Sequence, residues 1–312
     1  MGWTSILAKV RIVDFSDWFP YEGFAEGSGR SEKIWLQSKD NKIGLFKYPK
    51  FDNNSLELSS EYISEHMAHR IGNLLGVETA DVDIGNYKGR KGCMSYLINE
   101  PDEAVVEGAV FISGKHPDYN LENMQEMSTG KYYCLDHLLE VSDSTRVINR
   151  WIQMMIFDYL IGNSDRHQNN WAILVSYADE NKNSLKGRVC PLYDNGSSLC
   201  SYVNETLADG YLGKDIRRFE SLVDTKSRSM IRIDGFNKKH PKHSEVVEKL
   251  LSDYMYAAEF GRNVVLKMSD EVIVDLLEGY DGILSNKKKE LIKRYLIRKV
   301  ELLQQLLKKG TS

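Results

Sequence analysis

The chain has 312 residues, of which 42% are hydrophobic and 28% charged, with only 6 prolines. This composition is that of an ordinary globular protein and excludes a disordered or fibrous chain. A formal net charge of −4 argues against a protein that coats nucleic acid, so no direct nucleic-acid partner is predicted.

The cysteines and the N-terminus favour a cytoplasmic protein. The 4 cysteines form no CxxC pair and no zinc-like spacing, so we expect reduced thiols. The start, MGWTSILAKVRIVDF, lacks the basic and long apolar regions of a secretory signal. The apolar run from Ile152 to Phe157 is far shorter than a membrane span. We predict a cytoplasmic location without membrane contact, and these features leave a secreted effector undecided.

A glycine-rich segment opens the folded part of the sequence. Gly23, Gly27 and Gly29 stand just before the first predicted strand, where backbone N–H groups of such a turn could approach phosphate oxygens. The pattern G-x-G-x-x-E lacks the third glycine of ordinary kinase loops. An ordinary flexible loop would have the same composition, so both interpretations stay open at this point.

The first third of the chain is predicted to be rich in strands, with one helix. Lys33–Ser38 and Lys42–Pro49 alternate in polarity around the turn KDN, which predicts a hairpin. Ser59–Gly76 has apolar residues at helical spacing and predicts an amphipathic helix. The stretch VETADVDIGNYKGRKGCMSYLINE then predicts two more strands around a Gly/Lys turn.

From about residue 101 the pattern is typical of helices up to the C-terminus. Val147–Ile161 and Ser285–Lys309 carry apolar residues at helical spacing. We therefore predict an α+β protein of two lobes, with a β-rich N-lobe at 1–100 and a mostly helical C-lobe at 101–312.

A polar segment, GNSDRHQNNW, lies between two core-forming stretches. A hairpin with strands near Trp171–Tyr177 and Val189–Tyr193 would set Asn170 and Asp194 at its open end, just after Asp165. Carboxylate and amide oxygens suit Mg²⁺, and Asp165 could accept a proton. Single Asp and Asn residues in loops more often cap turns. The combined D-x-x-x-x-N…D pattern favours phosphoryl transfer.

Three segments together resemble the HipA-like kinases, bacterial serine/threonine kinases. They are LIGNSDRHQNN at Leu160–Asn170, SEHMAHRIGNLLGVETADVDI with its helix glutamate, and PLYDNGSSL. The similarity covers most of residues 25–200, with a weaker helical match towards the C-terminus. It implies a two-lobed protein-kinase-like fold and a protein kinase that uses ATP and Mg²⁺.

The resemblance assigns roles to the residues of the polar segment. It makes Asp165 the catalytic base, and it makes Asn170 and Asp194 the ligands of Mg²⁺ at the nucleotide phosphates. Arg166 and His167 are expected to orient the loop rather than to transfer the proton.

The resemblance also assigns roles in the first third of the chain. Lys47 stands in an FKxP-like context and would hold ATP phosphates, although strand lysines usually extend to water. The helix glutamate Glu65 would pair with Lys47. Periodicity alone predicts that Glu65 is exposed, with Glu61 a rival one turn earlier.

Two further segments acquire expected roles in nucleotide binding. Gly27, Ser28, Gly29 and Ser31 resemble the family's phosphate-binding loop, and Ser28 and Ser31 become candidates for inhibitory autophosphorylation. In CMSYLIN, the backbone at Met94 and Tyr96 is expected to contact adenine, unless it is a plain core strand. The basic stretch Asn237–His243 and the lysines of the last helix are predicted to be solvated.

Partners follow from the resemblance alone. Full-length HipA proteins have an extra N-terminal subdomain that helps to bind an antitoxin, whereas this chain reaches its glycine-rich segment by residue 23 and resembles the short stand-alone members. A toxin role, an antitoxin partner and an aminoacyl-tRNA synthetase as protein substrate are therefore expectations. Two alternatives remain: a lipid or small-molecule kinase, since DRHxxN also occurs in phosphatidylinositol kinases, and a nucleotide-binding pseudokinase. Against the pseudokinase, Lys47, Asp165, Asn170 and Asp194 are all present.

Overall fold

The computed structural model describes residues 8–23, 32–52, 57–176 and 186–309. The strands of this part are β1 Val13–Asp14, β2 Phe19–Pro20, β3 Lys33–Gln37, β4 Ile43–Lys47, β5 Phe51–Asp52, β6 Glu57–Leu58, β7 Val82–Tyr87, β8 Arg90–Tyr96, β9 Glu103–Glu107, β10 Tyr119–Asn120, β11 Gln125–Glu126, β12 Ala172–Ser176 and β13 Lys186–Val189. The α-helices are α1 Glu61–Leu75, α2 Gly108–Lys115, α3 Leu135–Glu140, α4 Thr145–Ile161, α5 Glu205–Leu212, α6 Ile216–Glu220, α7 His243–Asp253, α8 Met255–Lys267, α9 Asp270–Glu278 and α10 Asn286–Lys309, with a π-helical turn at Ser221–Thr225. None of these helices is both long and apolar enough to cross a membrane.

The contacts divide the chain into two compact units. Unit 1 contains the described residues up to Ile98, together with Asp194–Phe219 and Lys267–Ile297. Unit 2 contains Asn99–Tyr193, Glu220–Leu266 and the described residues from Arg298 onwards. The predicted division at residue 100 is a single cut, whereas both units are discontinuous in sequence.

Unit 1 is built on a six-stranded sheet in the order β1-β7-β8-β4-β3-β2, against which α1 packs. The sheet is antiparallel except for the β1–β7 pair. The predicted hairpins are confirmed, and the turn between β7 and β8 uses Lys88 and Gly89 at φ 48° and 80°, as a tight two-residue hairpin requires. A buried cluster on one face holds the sheet together: Phe15, Leu36, Phe46, Tyr87 and Met94.

Residues 267–297 belong to unit 1, where Tyr280 contacts helix α1. The His66 Nδ1 atom lies 2.8 Å from the hydroxyl oxygen of Tyr280, and the guanidinium of Arg70 lies 5.5 Å from the centre of the same ring. Helix α1 ends at Gly76, whose φ of 77° is the left-handed conformation that glycine adopts without strain. Such pairings between distant segments leave no periodic signal in the sequence.

Unit 2 is organised around α4, whose last eleven residues are all buried apart from Gln153. The Trp151 ring packs edge-on against Trp171, with centroids 4.9 Å apart, and α7 lies along α4. A three-stranded sheet in the order β13-β12-β9 combines the two strands after the polar segment with β9 from before it. The first strand of the predicted hairpin is confirmed as β12, while the second, β13, begins and ends earlier than Val189–Tyr193.

Two predictions about the C-terminal part are wrong. Strands β9, β10 and β11 lie beyond residue 101, because sheet pairing overrides the weak helical pattern there. The lysines of α10 are not all solvated: Lys288 donates to the carbonyl of Cys200 and Lys299 to the hydroxyl of Ser227, and both lysines are buried. Charge patterning cannot distinguish a lysine with buried acceptors from a solvated one.

Candidate functional site

Unit 1 contains a lysine cluster, made of Lys47, Glu65, Asp194 and Asn195. The Nζ atom of Lys47 lies 2.9 Å from Asp194 Oδ1 and 3.8 Å from Glu65 Oε2. Lys47 stands at the end of β4, on the face opposite the buried Phe46, with one fifth of its side chain exposed. Burial lowers the pKa of Lys47, but Asp194 and Glu65 outweigh it and raise the pKa overall, so the ammonium stays charged.

Glu65 is only 2% exposed, so the exposure predicted from periodicity is wrong. Its Oε1 accepts the backbone N–H of Asn195 at 2.9 Å, which ties helix α1 to the segment after β13. The rival Glu61 instead binds Lys50 at 3.1 Å and the Tyr202 hydroxyl at 2.8 Å. A buried carboxylate is favourable here because Lys47 and the Asn195 N–H, both distant in sequence, are positioned to pair with it.

Asp194 adopts a left-handed backbone conformation, with φ at 56°. Asp tolerates this region better than most residues, and non-glycine residues in it are frequent at functional sites. The residue two positions later is Gly196, where a Cβ atom would come within 3.2 Å of the Glu61 carbonyl and 3.3 Å of Glu65. The glycine therefore lets this chain segment approach α1 closely.

Unit 2 contains the polar loop Asn163–Asn170, which follows α4 and is named the catalytic loop after the role that the family resemblance predicts for Asp165. Helix α4 ends at Gly162, again left-handed at φ 69°, and the chain turns sharply there. The guanidinium of Arg166 donates to both carboxylate oxygens of Asp158, at 2.9 and 2.8 Å, with both side chains almost fully buried. Burial raises the pKa of Asp158, and this effect is opposed by Arg166 and Asn163.

The remaining nitrogen of Arg166 binds the backbone just before β12 and after β13. Its Nη1 donates to the carbonyls of Asn170 and Tyr193, each at 2.8 Å. Tyr193 directly precedes Asp194 in the chain. Arg166 therefore orients the loop, as the sequence predicts.

Asp165 and Asn170 are bonded through the loop backbone. The Asn170 Nδ2 donates to the Asp165 carbonyl at 2.6 Å, and the Asp165 N–H donates to Asn163 Oδ1 at 3.1 Å. Asp165 is half-buried and Asn170 buried. These bonds fix the loop before any ligand arrives, which is the pre-organisation that phosphoryl transfer needs.

Each unit contains side-chain oxygen atoms of the kind that bind a hard divalent cation. Because Nδ2 of Asn170 is committed to a carbonyl, its Oδ1 is the atom left to accept. The neighbouring Asn169 has a buried Oδ1 with no hydrogen-bond partner among the described residues. In unit 1, Asp194 has a carboxylate whose side chain is 49% exposed. Oxygen donors of these kinds are those that Mg²⁺ selects.

The predicted adenine-contacting residues lie inside the sheet of unit 1. Met94 pairs with both Phe46 and Asp83, and the Tyr96 N–H donates to Asp81. Their backbone groups are thus engaged by neighbouring strands, and the Tyr96 hydroxyl donates to Asp83. These pairings are those of a strand inside a sheet, and adenine contact at Met94 and Tyr96 stays a prediction.

Four predicted site residues cannot be placed. Gly27, Ser28, Gly29 and Ser31 lie outside the described residues, so the phosphate-loop and autophosphorylation expectations stay predictions.

Sequence reasoning missed a residue below the catalytic loop. His243, predicted to lie in a solvated stretch, is buried at the start of α7 and its Nε2 donates to the Asn163 carbonyl at 2.9 Å. Its Nδ1 lies 3.0 Å from the Ser227 hydroxyl, which in turn accepts from Lys299 at 2.9 Å. Burial, together with Lys299, lowers the pKa of His243 to about 3. The helix start HSEVV has two apolar valines but no mark of a buried histidine.

Comparison with known proteins agrees with this geometry. Residues 26–258 match the family model of the HipA-like C-terminal domain. The serine/threonine-protein kinase CtkA of Helicobacter pylori is 24% identical over 229 residues, 70% of this chain and 65% of that protein. A putative kinase of Sinorhizobium fredii, Y4dM, is 27% identical over 117 residues, 37% of this chain and 26% of its own length. The alignments thus span less than two thirds of both curated relatives.

Solved structures show the fold. The crystal structure of a Helicobacter pylori proinflammatory kinase CtkA superposes with a TM-score of 0.76 at 18% identity, covering 95% of this chain and 99% of that one. HipA of Shewanella oneidensis, solved in complex with HipB and operator DNA, gives a TM-score of 0.53 at 12% identity, covering 92% and 66%. The predicted two-lobed, kinase-like α+β fold is confirmed.

Proposed function

The chain belongs to the HipA-like C-terminal domain family, and we propose that it is a protein serine/threonine kinase that uses ATP and Mg²⁺. The observation that carries the proposal is the lysine cluster, in which Lys47 contacts both Glu65 and Asp194. A buried helix glutamate that orients a strand lysine is the arrangement kinases use to hold nucleotide phosphates.

In the proposed reaction each residue has a distinct task. Asp165 accepts the proton of the attacking hydroxyl, while Lys47 balances the charge of the phosphate oxygens. Asn170 and Asp194 would supply oxygen ligands to Mg²⁺, and the bound ion would neutralise charge on the transferred phosphoryl group. Arg166 contributes by keeping the loop backbone in place and does not touch the reacting atoms.

The test uses the whole chain, Mg²⁺ and ATP labelled at the γ-phosphate. A panel of protein substrates is compared with phosphatidylinositol vesicles, and labelled residues are identified by mass spectrometry. We expect serine or threonine labelling in protein, lowered about 10²–10⁴-fold by Asp165→Ala. The matched control, Asp118→Ala, removes an exposed aspartate whose carboxylate accepts the backbone N–H of Ser128.

The outcomes separate the alternatives. Transfer to lipid alone would replace the protein kinase with a lipid kinase, and ATP binding without any transfer would favour a pseudokinase. Label on Ser28 or Ser31 would support self-inhibition. An antitoxin partner and an aminoacyl-tRNA synthetase substrate stay predictions of the family resemblance.

A further inference from the structure

Two histidines and a glutamate of unit 2 form a cluster that the proposed reaction does not use. His116 follows α2, Glu126 lies in β11 and His137 in α3. One donor atom from each lies within 4.8 Å of the others. We propose that this His116–Glu126–His137 cluster is a Zn²⁺ site, with the fourth ligand supplied by water.

The distances between the donor atoms match those around a small ion. His137 Nε2 lies 3.0 Å and His116 Nδ1 3.5 Å from the same oxygen, Glu126 Oε1. Tetrahedral zinc with bonds of about 2.0–2.1 Å to nitrogen and oxygen separates its ligand atoms by about 3.3 Å. Modest side-chain rotation, without backbone movement, would therefore open the cluster to the ion.

Every ligand in the cluster has a supporting contact of the kind that metal sites use. His116 Nε2 lies 2.6 Å from Glu140 Oε2, so a carboxylate orients this ring and leaves Nδ1 turned towards Glu126. The second oxygen of Glu126 accepts from the Thr129 hydroxyl at 2.7 Å. Carboxylate–histidine pairs and hydrogen-bonded ligand carboxylates fix the orientation and basicity of metal ligands.

The burial of the cluster suits an ion held within the protein. The His137 side chain is fully buried and that of Glu126 is 6% exposed, while 21% exposure of His116 leaves a route from solvent. Imidazole nitrogen and carboxylate oxygen, the donors that these three side chains present, are ligands that zinc commonly takes.

Binding of zinc at His137 requires a proton to move within its imidazole ring. The Cys134 N–H donates to His137 Nδ1 at 3.2 Å, so in the metal-free protein Nε2 carries the proton and donates to Glu126. On loading, this proton moves to Nδ1, which then no longer accepts the Cys134 N–H; the His137 ring has to turn from that N–H towards Cys134 Sγ, 3.4 Å from Nδ1, as the new acceptor. The proton count of the site is unchanged, and Nε2 gains the lone pair that the ion needs.

The cluster adjoins the catalytic loop. The Tyr119 ring lies 5.4 Å from the His137 ring, and the Tyr119 hydroxyl donates to Gln168 Oε1 at 2.5 Å. Zinc would join α2, β11 and α3 at a point one side chain away from the loop. Its expected effect is to stabilise this part of unit 2.

The experiment is a calorimetric titration of the untagged, chelator-treated chain with Zn²⁺ alone, repeated with Co²⁺ for its visible absorption. We expect one ion per chain, with affinity lowered more than 100-fold in His116→Gln and in Glu126→Gln. Glu140→Gln, which removes the charge that supports His116 and also a 3.6 Å contact with Lys131, should weaken binding about 10–100-fold. His69→Gln is the matched control, since His69 is half-buried and 3.7 Å from the carboxylate of Asp81 in unit 1; it should bind as the unchanged chain does.

Circular dichroism checks that each variant is folded, and the partly exposed His116 keeps the test valid if Glu126→Gln unfolds. A chain that takes up no stoichiometric Zn²⁺ overturns the proposal, as does binding that His116→Gln leaves intact. In either case the cluster is a metal-free hydrogen-bond network. The titration needs no nucleotide, so its failure would leave the proposed kinase activity untouched.

Discussion

Replacing Asp158 by Asn is expected to destabilise unit 2 strongly. The substitution keeps the shape of the side chain but removes the charge that faces Arg166, whose guanidinium is 1% exposed. Breaking a buried ion pair from one side costs about 3–5 kcal/mol, because the remaining charge stays desolvated. Since Asn163 also donates to this carboxylate at 3.2 Å, a second buried bond is weakened.

Urea unfolding followed by tryptophan fluorescence measures this loss, because the buried pair Trp151 and Trp171 reports on α4 and the catalytic loop. The matched control is Asp253→Asn, whose partner Lys249 is exposed on the same helix, and which should change the free energy of unfolding by less than about 0.5 kcal/mol. Phosphoryl transfer by Asp158→Asn should fall about 10²-fold, since small displacements of a catalytic group have effects of this size.

A double substitution, Asp158→Leu with Arg166→Met, makes the reasoning sharper. Apolar replacement of a buried ion pair is often neutral. Here it should remain destabilising, because the carbonyls of Asn170 and Tyr193 lose their shared donor. If Asp158→Asn stays within about 1 kcal/mol of the unchanged chain, the ion pair does not hold the loop and the argument fails.

Two further predictions concern charge. Lys47→Met should lower phosphoryl transfer about 10²–10³-fold, whereas Lys50→Met, which removes an exposed lysine three residues on, should not; equal losses would refute the special role of Lys47. Burial, followed by Arg70 for His66 and by Lys299 for His243, lowers the pKa of each to about 3. Below about pH 6.5 these histidines bind protons in the unfolded chain but stay neutral in the folded chain. The free energy of unfolding should therefore fall by about 2 kcal/mol per histidine between pH 7 and pH 5. In urea unfolding at both pH values, the free energy of unfolding of His243→Gln should fall by about 2 kcal/mol less than that of the unchanged chain. An equal fall would contradict the lowered pKa of His243.

The sequence predicted local elements well and long-range pairings poorly. Helix α1 and the β7–β8 hairpin follow from periodicity and turn chemistry, which act over a few residues. The burial of Glu65 does not, because its partners Lys47 and Asn195 are supplied from segments 18 and 130 positions away. The family resemblance selected Glu65 correctly as the partner of Lys47 where periodicity favoured exposure.

The candidate site shows the same limit. The polar character of Asp165–Asn170 identified the loop, but composition gave no sign that His243 lies beneath it. A histidine in NKKHPKH looks solvated until Asn163, Ser227 and Lys299 supply an acceptor, a donor and a neighbouring charge. Polar residues buried by tertiary partners are therefore the class that pattern reasoning misses.

These buried polar residues share one target within unit 2, which explains why so many polar side chains occupy its core. Asp158 reaches the loop through Arg166, and His243 reaches it through the Asn163 carbonyl. Lys299 donates to Ser227, Ser227 contacts His243 and His243 donates to Asn163, so turning Ser227 or His243 would leave a buried group unsatisfied. Apolar side chains would fill the same volume at lower desolvation cost but could not fix the backbone carbonyls of a loop. The polar core is thus a means of holding the catalytic loop in one conformation.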